Sequence, residues 1–173
     1  MDVDVVGAVR WALELVGSGG LKAAPSFGEV RDGMVSRGPE LALMNAHELH
    51  RASLMIEQRF HVALMARVLS GSLPHLEGSF KELTAYVAHY GQKGGLNALR
   101  FGREGIAYWV RYWLTGMGSF REFGREFGID GQTAAAFYRS HIEVLLDGWL
   151  SAGCGALEPI VLRQMEDDVL HVA

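Results

Sequence analysis

Apolar residues recur at helical spacing along most of this 173-residue chain, and no run alternates with the period of a strand. In 4–16, "DVVGAVRWALELV", Val5, Val9, Ala12, Leu13 and Val16 fall on one helical face, and Asp4 is placed to cap its start. "GSGGLKAAPS" reads as loop, and 26–37 as one more short helix that the Gly-Pro pair at 38–39 ends. From Glu40 to Ser70 the pattern predicts the longest helix, because Leu41, Met44, Leu49, Leu54, Met55, Phe60, Leu64, Met65 and Leu69 recur with no Gly or Pro between them. "GSLPHLEG" breaks that helix, 79–90 predicts the next, and "GQKGG" ends it. A helix or bent helix rich in Tyr and Trp follows over 96–115. After a short helix from Phe120, a long one runs to about Leu150, where "SAGCG" is expected to stop it. Residues 157–170 can form a last, acidic helix. The predicted fold class is all-α.

Three Ser-Phe-x-Glu segments, 26–29, 79–82 and 119–122, fit the Ser-x-x-Glu pattern. In this capping box the Ser side chain accepts from the amide three residues on and the Glu reaches back, so each match predicts a helix start. The last of them opens "SFREFGREFGIDGQTAAAFYRSH", in which two glycines interrupt a helical pattern. A helix-interior Gly costs about 0.5–1 kcal/mol relative to Ala. Two helices that cross through a tight turn make the cost worthwhile. Gly124 is the small residue at the crossing and Gly128 begins the turn. Phe123, Phe127, Ile129, Ala134 and Phe137 fall at the apolar corner offsets of a helix-turn-helix. Asp130 is placed to cap the second helix, whose apolar stripe is expected at Ala134, Phe137, His141, Leu145 and Trp149.

Charge sharpens this picture. The whole chain carries a net −4, which argues against a strongly basic nucleic-acid binder but leaves room for a local basic face. In a helix-turn-helix bound to DNA the second helix enters the major groove. Gln132 would then pair with adenine and Arg139 with guanine or phosphate. Ala136 or the Thr133 methyl would touch a thymine methyl. Arg121 and Arg125 on the first helix, assisted by Arg103, would hold phosphates. With so few cations, binding should be weak and salt-sensitive, and should need a second copy or a DNA-bound partner. An αα-corner with no role on DNA satisfies the same pattern.

Residues 110–150, "VRYWLTGMGSFREFGREFGIDGQTAAAFYRSHIEVLLDGWL", resemble the C-terminal region-4-like module of sigma factors. More narrowly, they are similar to the end of one class of lambdoid-phage Q antiterminators. The match lies in an aromatic helix ending at Gly116-Met117, the helix-turn-helix, and a long helix closing on Gly148-Trp149-Leu150. The N-terminal Asp4, Val5, Val6, Arg10 and Trp11 add to it. Activators of gene transfer agents carry similar modules. The resemblance implies a regulator that binds promoter-proximal double-stranded DNA, engages RNA polymerase and lets it read through terminators. It divides the chain into a helical region over 1–95 for polymerase or self-association, a DNA-binding module over 96–150, and an acidic tail over 151–173.

Other chemistry is sparse. One cysteine, Cys154, excludes an internal disulfide and a multi-cysteine zinc site, which suits a reducing bacterial cytoplasm. The bias of 13 Arg to 3 Lys hints at a GC-rich bacterium or its phage. The acidic start is the wrong sign for a secretory signal. No window of about 18 residues is free of charge, so no membrane partner is expected. "HELH" at 47–50 is one residue short of the H-E-x-x-H metal spacing. With no phosphate loop and no nucleophile–base pair, neither a cofactor nor an enzyme is expected. The alternatives are a small-terminase-like packaging subunit, whose 40–115 helices build an oligomer, and a helical protein-interaction module.

Overall fold

The computed structural model describes residues 3–17, 39–70, 73–93 and 100–170, all of it helix and connecting turn. The described chain is all-α. The helices are α1 (Val5–Gly17), α2 (Pro39–Leu54), α3 (Gln58–Leu69), α4 (Leu73–Lys93), α5 (Gly102–Thr115), α6 (Phe120–Phe127), α7 (Gly131–Phe137) and α8 (Val144–Leu170). A π-helical turn over Tyr138–Glu143 joins α7 to α8. The helix expected over 26–37, with its capping box, lies outside the described residues. The chain forms two compact units, one of Met1–Glu57 with Ala152–Ala173, the other of Gln58–Ser151.

In the first unit Asp4 caps α1 as expected, accepting from the Gly7 amide at 2.8 Å. Val5, Ala8, Val9, Trp11, Ala12 and Leu15 are its buried face. The α2 helix begins at Pro39, so this proline is not a break within described helix. A proline in the first turn forfeits no helical hydrogen bond. "SAGCG" is not a stop either: α8 runs through Gly153, Gly155 and Pro159 without interruption. Burial at Gly153, Leu157, Val161 and Gln164, spaced four, four and three, offsets the low helix propensity. Gln164 Nε2 donates to the Asn45 carbonyl at 3.2 Å and to Glu48 Oε2 at 3.0 Å, and Arg163 pairs with the same carboxylate. The acidic segment 157–170 is therefore the end of α8, in one unit with α1 and α2.

The helix expected from Glu40 to Ser70 is two. It breaks at 55–57, where the two units also divide. Sequence pattern missed the break because no Gly or Pro marks it. Ser53 supplies a local cause: its hydroxyl donates to the His50 carbonyl at 2.7 Å, and the Met55 amide bonds to Ala52, tightening the last turn. Helix α4 starts at Leu73, six residues before Ser79, with Pro74 in its first turn. The Ser79–Glu82 box is thus interior and caps nothing.

In the second unit α3, α4 and α5 share one core. Val62, Ala66, Leu83 and Val87 bury with Ile106, Trp109 and Val110, so the division expected at 95/96 falls inside a single packed body. Arg67 Nη1 closes the end of α5 by donating to the Trp113 carbonyl at 2.9 Å, and its guanidinium lies 4.8 Å from the Trp113 ring centroid. Trp113 Nε1 in turn donates to Asp147 at 2.8 Å.

Gly124 sits where α6 meets the turn into α7. A Cβ there would lie 2.5 Å from the Ile129 carbonyl oxygen, against backbone that cannot step aside. Gly128 has φ +70°, the left-handed conformation that ends α6. Gly124→Ala is expected to destabilise the protein by about 1–3 kcal/mol through overpacking. Gly148→Ala, on exposed helix with nothing within 4 Å of its new methyl, should stabilise it by about 0.5–1 kcal/mol. Urea titration followed by tryptophan fluorescence measures both.

Candidate nucleic-acid interface

The surface in question is built on aromatic packing. Trp109 of α5 stacks on Phe123 of α6 at 4.1 Å, and Phe123 stacks on Phe127 at 4.3 Å. Phe101 meets Phe123, Phe127 and Phe137 edge-on. Phe123 and Ala134 are fully buried, and Phe127, Ile129 and Phe137 pack partly buried around them. These are the five corner positions predicted from the sequence.

The start of α6 is held by a residue that the sequence did not mark as a cap. Ser119 Oγ accepts from the Glu122 amide at 3.2 Å, half of the expected capping box. The other half is replaced. The Ser119 amide donates to Tyr108 Oη at 2.8 Å, and that hydroxyl donates to the Ser119 carbonyl at 2.9 Å. Burial pushes the Tyr108 phenol above its ordinary value, so it keeps the proton it donates. Tyr108 thereby ties α5 to the first residue of the corner. Only tertiary packing brings it there, eleven residues from its partner.

Asp130 caps α7 as predicted. Its Oδ1 accepts from the Gln132 amide at 2.9 Å and the Thr133 amide at 2.8 Å. Thr133 Oγ1 donates to Oδ2, which commits that hydroxyl to the cap and leaves the methyl as the free part of the side chain. The Thr133 hydroxyl, then its amide, hold the Asp130 carboxyl below the usual aspartate range.

No family model, curated protein or solved structure matches the chain.

Geometry alone therefore places the candidate residues. Gln132, Thr133, Ala136 and Arg139 are all exposed on one side of the α7 segment, while Ala134 and Tyr138 are buried on the other. Arg121 and Arg125, one helical turn apart on α6, are exposed too. The structure brings Arg121 and Arg139 to the same neighbourhood. The Arg139 guanidinium lies 5.8 Å from the Phe120 ring centroid, and Gly131 packs against the backbone of Arg121. Arg103 is exposed two residues beyond Phe101, whose ring touches Phe137 at the end of α7. Among the described residues Arg103, Arg121 and Arg125 make no ion pair, which leaves their charge available. Glu122 and Glu126 are exposed on α6 as well, so the field there is mixed.

The predicted stripe of the second helix is corrected between Ala134 and Trp149, its two ends being buried as expected. The buried series is Ala134, Tyr138, Ile142, Leu146 and Trp149; His141 is exposed, and Phe137 and Leu145 are only partly covered. In an α-helix, residues four apart drift by about 40° per step. The π turn widens the helix between Tyr138 and Glu143 and takes up that drift.

Elsewhere, His47 is exposed and His50 half-buried on α2, and among the described residues no group of three metal-ligating side chains forms. By length and composition the stretch Gly131–Asp167 could cross a membrane: its best 18-residue window has mean hydropathy 1.3 and is 28% buried.

Asp130 yields a pH prediction. A carboxyl whose pKa is lowered on folding adds stability above its unfolded value, and that stability is lost as pH falls through the folded value. Asp130→Ala should lower Tm at neutral pH. The gap from wild type should close as pH drops below about 4, the ordinary aspartate pKa. Thermal melts across pH follow it.

Proposed function

We propose that α6 and α7 act as a helix-turn-helix that presents α7 to the major groove of double-stranded DNA, and that the protein is a phage-type transcription regulator of the Q antiterminator kind. One observation carries the reading. On the helix that a close glycine crossing fixes on α6, and on the π turn that continues it, Gln132, Thr133 and Arg139 are exposed on one side, with Arg121 and Arg125, which make no ion pair among the described residues, exposed on the adjoining helix. A corner that served packing alone would not need amide and guanidinium groups there.

In this reading Gln132 reads adenine, Arg139 guanine or phosphate, and Ala136 with the Thr133 methyl meets a thymine methyl. Arg121, Arg125 and Arg103 hold phosphates. The neighbouring glutamates keep affinity low, so stable occupancy requires RNA polymerase or a second copy already in place. The N-terminal region has surface for such a partner: Met44 and Met55 are 66% and 86% exposed, and Leu41 and Leu54 are exposed beside them. Methionine-rich apolar surface adapts to a protein partner.

Purified transcription from the protein's own promoter, with a terminator downstream, tests the whole reading. Readthrough is expected to rise on adding the protein and to vanish with Gln132→Ala and Arg139→Ala combined. No change in readthrough with the wild-type protein would refute antitermination. In direct binding, Gln132→Ala should cost about 1–3 kcal/mol of sequence discrimination. Arg121→Ala should weaken binding to all sequences alike and reduce the salt slope by about one.

A further inference from the structure

Two buried residues lie within the π turn. Tyr138 is 3% exposed and Ile142 is fully buried, and the three residues between them, Arg139, Ser140 and His141, are all exposed. A regular α-helix carrying the predicted stripe would have turned His141 toward the core. The wide turn instead brings it out, beside Ser140 and Arg139, directly after the residues assigned to base reading. Phe137 holds the imidazole from behind, with ring centroids 5.0 Å apart. Arg139 is steered over Phe120 at the start of α6.

We infer that this π turn is the second half of the nucleic-acid contact surface, and that Ser140 and His141 contact DNA alongside Arg139. The inference rests on the DNA-binding reading above and adds two contact residues to it. The chemistry suits the position. A serine hydroxyl both donates and accepts, and an imidazole N–H donates to a phosphate oxygen or a purine N7. Neither side chain makes a hydrogen bond or ion pair within the described chain, so their polar groups are not committed to the fold, and the contact of the imidazole is with the Phe137 ring. Packing alone would be satisfied by a π turn with any solvated residues between Tyr138 and Ile142.

The test uses the full-length protein and duplexes that the wild type enriches from a random-sequence pool. Three proteins are compared by titration at several salt concentrations: wild type, Gln132→Ala, and Ser140→Ala with His141→Ala. The double variant should keep the wild-type melting temperature, because both side chains are exposed. It should bind the enriched duplex roughly 5- to 150-fold more weakly, the range of one lost specific contact. If Gln132→Ala weakens binding and the double variant binds like wild type, the π turn is not a contact and only this inference fails. If the wild type binds no duplex above the level of serum albumin, the DNA reading and this inference fail together. A double variant that melts earlier is replaced by Ser140→Thr with His141→Gln, for which a binding loss at unchanged stability still supports the contact and unchanged binding overturns it.

Discussion

Trp109 against Phe123 is the contact on which the second unit turns. The two rings stack at 4.1 Å with no solvent on either side chain, and Tyr112, Phe120 and Tyr138 close around Trp109. Stacked and edge-on aromatic pairs add about 0.5–1.5 kcal/mol each beyond their buried area. The stack fixes α6 on α5, and α6 fixes α7 through the Gly124 crossing. The indole Nε1 finds no acceptor among the described residues. Leaving it unpaired costs about 1–3 kcal/mol, which a single aromatic contact would not cover and the surrounding group together does.

Rigid placement matters for what α7 presents. A short helix of seven residues has little stability of its own. Its exposed side chains hold a defined position only because its ends are tied. Asp130 satisfies the first amides, Ala134 is buried in the shared core, and Tyr138 continues into it. Tyr108 secures the other end of the corner from α5. The candidate reading surface is thus held in place by three helices, although its candidate base-reading residues come from α7 and the π turn that follows it.

Electrostatics favours discrimination over strength. The exposed arginines of the corner are matched by Glu122 and Glu126, and Asp130 occupies the start of α7 with its own carboxylate. In the proposed DNA complex, phosphate attraction would be correspondingly modest, and more of the specificity would come from direct contacts at Gln132 and the π turn. A regulator that acts beside a larger DNA-bound machine is served by that balance, because weak local binding becomes useful once a second contact raises the effective concentration.

Local pattern was enough for some features. The all-α character, the Asp4 and Asp130 caps, the five corner positions and the glycines at crossing and turn are set by neighbours within a few residues, where spacing and cap chemistry act directly. Other features depended on contacts between distant residues. The glycines at 153 and 155 in "SAGCG" read as a stop, yet burial of Leu157, Val161 and Gln164 carries α8 through them and through Pro159. No breaker marks 55–57, yet the chain leaves one unit there and enters another. Tyr108 replaces Glu122 at the Ser119 amide because folding brings it within 2.8 Å. The π turn is the sharpest case: a periodicity of 3.6 assigns His141 to the core, and burying Ala134, Tyr138, Ile142 and Leu146 on one line widens the helix and moves His141 outside. Sequence by itself determined which residues could form a helix and a corner. Tertiary packing decided where helices end and which way they face, because the free energy of burying side chains from several elements exceeds the small propensities that local sequence expresses.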